Sequence, residues 1–245
     1  MKKPRMILFD YGHTLLYEQE FSFLRGEQAV FEYITENPHN ITPEQSNDFA
    51  NKLFADFDRA RQLGFEIHEW QALRTQYERL GLKFSLPMDE LETVMWDAVS
   101  VGAQMPNVAE MLAYLKLQGI RTGVISNIGW SGLALERRIN RLLPENEFEF
   151  IIASSEYAVR KPNPLLFEIA LEKSGLDASE VWYCGDNIKA DVLGSHGVGI
   201  FPVLYTCDSV ERSAWTANQD ANPKFDFEFL HIHDWSEMVD ILKTL

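Results

Sequence analysis

Met6-Ile7-Leu8-Phe9-Asp10-Tyr11-Gly12-His13-Thr14 is the stretch on which the reading of this chain turns. Four apolar residues in a row are too few for a buried helix. They fit a strand covered on both faces, as in a parallel sheet. The run stops at an acid and a glycine, so a loop begins at its carboxyl end. Ligands and chemistry gather at the carboxyl ends of strands in open parallel sheets. Asp10 therefore stands where a working carboxylate would stand, although an acid after a strand also serves as a simple turn former.

Outward from that strand the pattern changes twice. From about Phe21 to Ala98 apolar residues recur at helical spacing, as at Phe49, Leu53, Phe54 and Phe57. Thr42-Pro43 followed by Gln45 predicts a helix start, with proline at the first helical position. The block reads as a helical insert whose aromatic residues are expected to serve helix packing. After Met105-Pro106 strands and helices alternate. Strands are expected at 120–125, 148–153, 181–184, 199–205 and 227–232, and helices at 108–118, 133–143, 164–174, 188–196 and 235–245. That alternation predicts an α/β fold, a Rossmann-like parallel sheet with an inserted α-helical cap. The expected domains are an α/β core of residues 1–16 and 103–245 and a cap of residues 17–102. The polar strand ends are Asp10, Ser126, Ser154-Ser155 and Asp186.

The composition narrows the function. The chain has 245 residues, 46 % of them hydrophobic, enough for a core without disulfides. A formal charge of −15 repels phosphate backbones and anionic lipid, so no nucleic acid and no membrane is expected as partner. Two cysteines, Cys184 and Cys207, do not make a disulfide framework, and a cytoplasmic location is expected. The short apolar run after Met1-Lys2-Lys3 ends at Asp10, unlike a signal peptide. His39, His196, His231 and His233 show no metal-ligand spacing and are expected to be structural.

Four motifs occur in order. They are Phe9-Asp10-Tyr11-Gly12-His13-Thr14-Leu15, then Val124-Ile125-Ser126-Asn127, then Arg160-Lys161-Pro162-Asn163-Pro164, then Tyr183-Cys184-Gly185-Asp186-Asn187 with Asp191. Each alone could be an ordinary turn or cap. Together they resemble the haloacid dehalogenase-like hydrolase superfamily, and the insert resembles its helical cap.

The resemblance implies a phosphatase-type hydrolase acting on a small phosphorylated molecule. Asp10 would be the nucleophile, forming an aspartyl-phosphate. Mg²⁺ would be held by Asp10, Asp186 and the carbonyl of Gly12. Ser126 and Asn127 would bind phosphate oxygens, Lys161 would neutralise nearby negative charge, and Asp191 with Asn187 would orient the site from behind. The family's usual first motif carries a second acid where this chain has Gly12. That acid protonates the leaving group, and its loss typically costs about 10²–10⁴-fold. His13, or a residue of the insert such as Glu66 or His68, could replace it, or a substrate with a good leaving group would need little protonation. The rival readings are a C–X bond hydrolase of the dehalogenase or phosphonatase type and a catalytically weak binding or regulatory protein. Dehalogenases of the family lack the carboxylate at Asp186, and neither candidate phosphonatase lysine, Lys52 or Lys83, stands out.

Overall fold

In the computed structural model the described residues are 2–211, 216–217, 219–220 and 223–245. The chain begins with β1 (Met6–Phe9), β2 (Leu16–Tyr17), α1 (Phe23–Phe31), β3 (Ile34–Glu36), α2 (Pro43–Gln62), α3 (Glu69–Leu80), β4 (Lys83–Phe84), α4 (Met88–Val99) and β5 (Ala103–Gln104). It continues with α5 (Val108–Leu117), β6 (Arg121–Ser126), α6 (Gly132–Leu142), β7 (Phe148–Ala153), α7 (Pro164–Ser174) and β8 (Val181–Gly185). A π-helical turn (Ile188–Leu193), α8 (Gly194–Gly197), β9 (Phe201–Tyr205), β10 (Leu230–Ile232) and α9 (Trp235–Lys243) follow.

Among the described residues, β10-β9-β8-β1-β6-β7 form one sheet in that order, and every pairing is parallel. β1 lies in the middle, between β6 and β8. Its side chains alternate as a strand requires. Ile7 and Phe9 enter the core layer that contains Trp182 and Trp235, while Met6 and Leu8 enter the layer of Phe167 and Tyr183. Both faces are thus covered, which explains the unbroken apolar run. The indole N–H of Trp235 donates to the carbonyl of Thr14 at 3.0 Å and pins the loop that follows Asp10.

The insert is helical, as its spacing predicts, but it also contains the short antiparallel ribbon β3–β4. The start of α2 is set by a reciprocal cap: Thr42 Oγ1 accepts from Gln45 N at 3.3 Å, and Gln45 Oε1 accepts from Thr42 N at 3.0 Å. Most element ends shift by a residue or two, and three differences stand out. The strand expected from residue 199 starts at Phe201, because Gly199 has φ +83°, a left-handed turn that cannot pair. The helix expected over 188–196 opens as the π-helical turn. The last strand shrinks from 227–232 to Leu230–Ile232, and Phe227 instead stacks on His196 with ring centroids 3.6 Å apart. Among the described residues no helix is long and apolar enough to cross a membrane.

Candidate active site

The sheet order decides the site. Phe9 is in register with Val124 of β6 and Cys184 of β8. One step further along, Asp10 lies between the ends of those strands, where Ser126 and Asp186 emerge. Residues 116 and 176 positions apart in sequence thereby meet Asp10 at one edge.

Lys161 holds the cluster. Its buried ammonium donates to Asp10 Oδ1 at 2.7 Å, Asp191 Oδ1 at 2.7 Å and Tyr183 Oη at 2.5 Å. All three of its protons are therefore engaged. Tyr183 Oη in turn donates to the Ile125 carbonyl at 2.9 Å, tying the lysine to β6. The side chain of Asn127 clamps the lysine's backbone: Oδ1 accepts from Lys161 N at 2.7 Å and Nδ2 donates to Lys161 O at 2.9 Å. Both amide atoms of Asn127, a residue expected to touch substrate, thus hold the Lys161 backbone. Asn187 N donates to Asp191 Oδ2 at 2.9 Å, and Asn187 Oδ1 caps the π-helical turn through Ala190 N at 2.9 Å. Gly185 is required beside them, since a Cβ there would overlap the Asp191 carboxyl group.

The charge is unbalanced. Asp10, Asp186 and Asp191 offer carboxylate oxygens that lie within 4.8 Å of one another. A single ammonium sits among them. Burial pushes Asp10 up to about 6, against the pull of Lys161, and Asp191 adds to the rise. Burial and the charges of Asp10 and Asp191 hold Asp186 well above the usual carboxylate range. Burial opposes the charged form of Lys161, but Asp10 and Asp191 outweigh it and raise its pKa. An all-oxygen donor set with excess negative charge fits a hard divalent cation.

These groups open into a cleft of about 530 Å³. Ser126 lines it, and its hydroxyl makes no hydrogen bond among the described residues. Phe21, Trp96 and Trp130 form an apolar wall, with Trp96 and Trp130 stacked at 5.0 Å. Gly12 and His13 line the same cleft. A Cβ built at Gly12 meets nothing within 4 Å, so the place of an acid is open space. His13 adopts φ +53°, and burial lowers its pKa against the opposing pull of Glu18.

The two other candidate proton donors are held elsewhere. Glu66 Oε1 accepts from Arg61 Nε at 3.1 Å and Glu66 Oε2 from Ser154 Oγ at 2.8 Å. His68 Nδ1 accepts from Trp70 N at 3.1 Å, and its Nε2 lies 3.4 Å from Glu156. Neither lines the cleft. Sequence reasoning gave no role to Tyr183, or to Thr216 and Gln219 beside Asp186. Gln219 Nε2 donates to the Asp186 carbonyl at 3.1 Å and Thr216 lines the cleft. Both belong to the long connection after β9, where no motif or periodicity marks them.

The sequence profile of the haloacid dehalogenase-like hydrolases matches residues 7–204. The chain belongs to that family. As a haloacid dehalogenase-like hydrolase it has curated relatives named as phosphatases. It is 30 % identical over 241 residues to a glyceraldehyde 3-phosphate phosphatase of Methanothermobacter thermautotrophicus, covering 97 % of this chain and 99 % of the relative. It is 26 % identical over 199 residues to the pyrimidine 5'-nucleotidase YjjG of Escherichia coli, covering 79 % and 82 %. Among solved structures, a haloacid dehalogenase-like phosphatase from Thermococcus onnurineus superposes with TM-score 0.61 at 18 % identity, over 97 % of both chains. A 2-haloacid dehalogenase from Pseudomonas syringae pv. Tomato superposes with TM-score 0.60 at 20 % identity, over 98 % of both. The superpositions establish the shared fold.

Proposed function

We propose that this hydrolase is a Mg²⁺-dependent phosphatase that opens the phosphate ester of a small molecule through an aspartyl-phosphate on Asp10. The observation that carries the reading is the excess of carboxylate over ammonium at the strand ends, with Asp186 beside Asp10. A metal-free attack on carbon would gain nothing from a second acid next to the nucleophile. The names of the phosphatase relatives support the same reaction class.

In this reading Ser126 and the backbone amides after it receive the phosphate oxygens. Lys161, fixed by Asn127, Asp191 and Tyr183, neutralises Asp10 and the approaching phosphoryl group. Asp10 attacks phosphorus, the ester oxygen leaves, and water then cleaves the acyl phosphate. Asp10 and Asp186, with the Gly12 carbonyl, would hold Mg²⁺, which supplies charge neutralisation at the phosphoryl group when bound. With Gly12 where an acid would protonate the leaving oxygen, esters of acidic alcohols are the fastest substrates, and His13 is the side chain assigned to proton transfer. Residues 17–102 act as a cap over the core of residues 1–16 and 103–245, excluding water while Asp10 attacks. Both described cysteines are free thiols, which suits a reducing cytoplasm.

Phosphate release from an aryl phosphate and a panel of metabolite esters, with Mg²⁺ and with EDTA, tests this. Turnover is expected with Mg²⁺, to vanish with EDTA, and to fall by about 10⁴-fold or more in Asp10→Asn. Activity that survives both treatments would sink the mechanism.

A further inference from the structure

Beside the catalytic cleft runs a second groove, of about 540 Å³, between the end of α2 and the loop that carries Lys161. Asn127, Arg160, Lys161, Asn187 and Ala190 line both, so the two spaces share a wall. The seam is built by backbone pairing: Arg160 N donates to Gly64 O at 3.1 Å, and Glu66 N to Ala158 O at 3.0 Å. The insert thus fixes the position of the residue just before Lys161.

The groove runs against the charge of the chain. In a protein of formal charge −15 it gathers Arg61, Arg160 and Lys189. Two guanidiniums face the one buried carboxylate of Glu66. Arg61 takes the closer place, with Nε at 3.1 Å, and also approaches Asp58 at 3.6 Å. Arg160 Nε is left at 3.5 Å, and its side chain, only 18 % exposed, makes no hydrogen bond among the described residues. Lys189 stands exposed on the same groove without an ion pair among them. A mostly buried guanidinium that makes no hydrogen bond among the described residues, on the wall of the cleft, is suited to grip an oxyanion in two places.

We propose that Arg160 reads a second oxyanion on the leaving half of the substrate, so that the hydrolase selects phosphate monoesters that also carry a carboxylate or a second phosphate. Arg160 is then a specificity-determining residue, and Lys189 adds charge at the rim. The inference rests on the phosphatase reading above.

The test uses three esters of one chain length, propyl phosphate, 2-carboxyethyl phosphate and propane-1,3-diyl bisphosphate, together with their five-carbon homologues. The wild-type enzyme is expected to favour a doubly anionic ester by about 10–100-fold in kcat/KM, mainly through KM. Which of the two anions is favoured identifies the group that Arg160 reads. Arg160→Gln, which keeps a neutral donor beside Glu66, is expected to reduce the preference to within about threefold, and Arg160→Lys to restore part of it. Equal rates across the wild-type series, or a preference that survives Arg160→Gln, would overturn the inference. Should no ester turn over, the phosphatase reading fails first. Calorimetric binding of the same esters to Asp10→Asn then reads the preference separately, and equal affinities would overturn it.

Discussion

Two groups of acids, one lining the cleft and one away from it, are built on opposite principles. Asp10, Asp186 and Asp191 share one ammonium and keep negative charge in excess. Glu66 and Glu92, where the insert meets the sheet domain, have donors at both oxygens. Glu92 Oε1 accepts from Ser131 N at 2.7 Å, and Oε2 accepts from Ser131 Oγ at 2.5 Å and Trp70 Nε1 at 2.7 Å. Glu69, beside them, is pushed up to about 8 by burial and by Glu92, so it is largely neutral at pH 7. One cluster leaves its carboxylates incompletely matched by donors. The other satisfies or neutralises its charge and fastens the insert to the loops after β6 and β7. A buried carboxylate is evidence of chemistry only when its neighbours leave it incompletely matched.

Changes at Lys161 should have the largest effect on this contrast. Lys161→Met leaves Asp10 and Asp191 without their ammonium, and kcat should fall by about 10²–10³-fold. The unpaired acids should also cost about 3–5 kcal/mol of stability in chelator, read by urea unfolding, with part recovered in Mg²⁺. Full stability in chelator would mean that the cluster does not carry the charge described. Gly12→Asp adds an acid to the incomplete side, and the open space at its Cβ accommodates one. Turnover of a simple alkyl phosphate should rise by about 10²-fold, with little change for an aryl phosphate. No gain in a folded variant would show that another group already supplies the proton.

The smaller effects belong to the matched side. Glu92→Gln should lower stability by about 1–3 kcal/mol and change kcat only a few-fold. A collapse of kcat with KM unchanged would place Glu92 with the catalytic set. Glu69 gives a pH signature. Its pKa is raised from 4.5 to about 8, so the native state keeps a proton that the unfolded chain releases. Stability therefore falls as pH rises from about 4.5 to about 8 and levels off above that. Glu69→Gln should flatten the fall, with a gain in Tm of at least about 2 °C at pH 8 and less at pH 5.5. Parallel curves for the two proteins would show that Glu69 titrates normally.

Much of the candidate cluster was legible in the sequence because most of its members follow a recognisable strand. Asp10 ends an apolar run of four, Ser126 ends β6, and Asp186 follows β8 through a glycine that leaves room for Asp191. Lys161 was legible through its neighbouring prolines. The acids at the seam were not. Glu66, Glu69 and Glu92 sit in a helical insert where acidic residues are ordinary on solvated faces, and nothing local says that Ser131 or Ser154 will cover them. Arg160 shares this difficulty, since its unused donors appear only once Arg61 has taken the nearer place at Glu66.

The sequence by itself determined the elements and the residue types at their ends, because burial on both faces of a strand leaves an unbroken apolar run and turns leave polar punctuation. It determined the vacancy at Gly12 as well. Only the tertiary structure decided which ends meet, because β1 is inserted between strands more than a hundred residues downstream. It also decided that the Asn127 amide holds the Lys161 backbone, that Tyr183 accepts the lysine's third hydrogen bond, and that Glu66 and His68 are committed elsewhere. Charge compensation is a property of neighbours in space, and sequence distance carries almost no information about it.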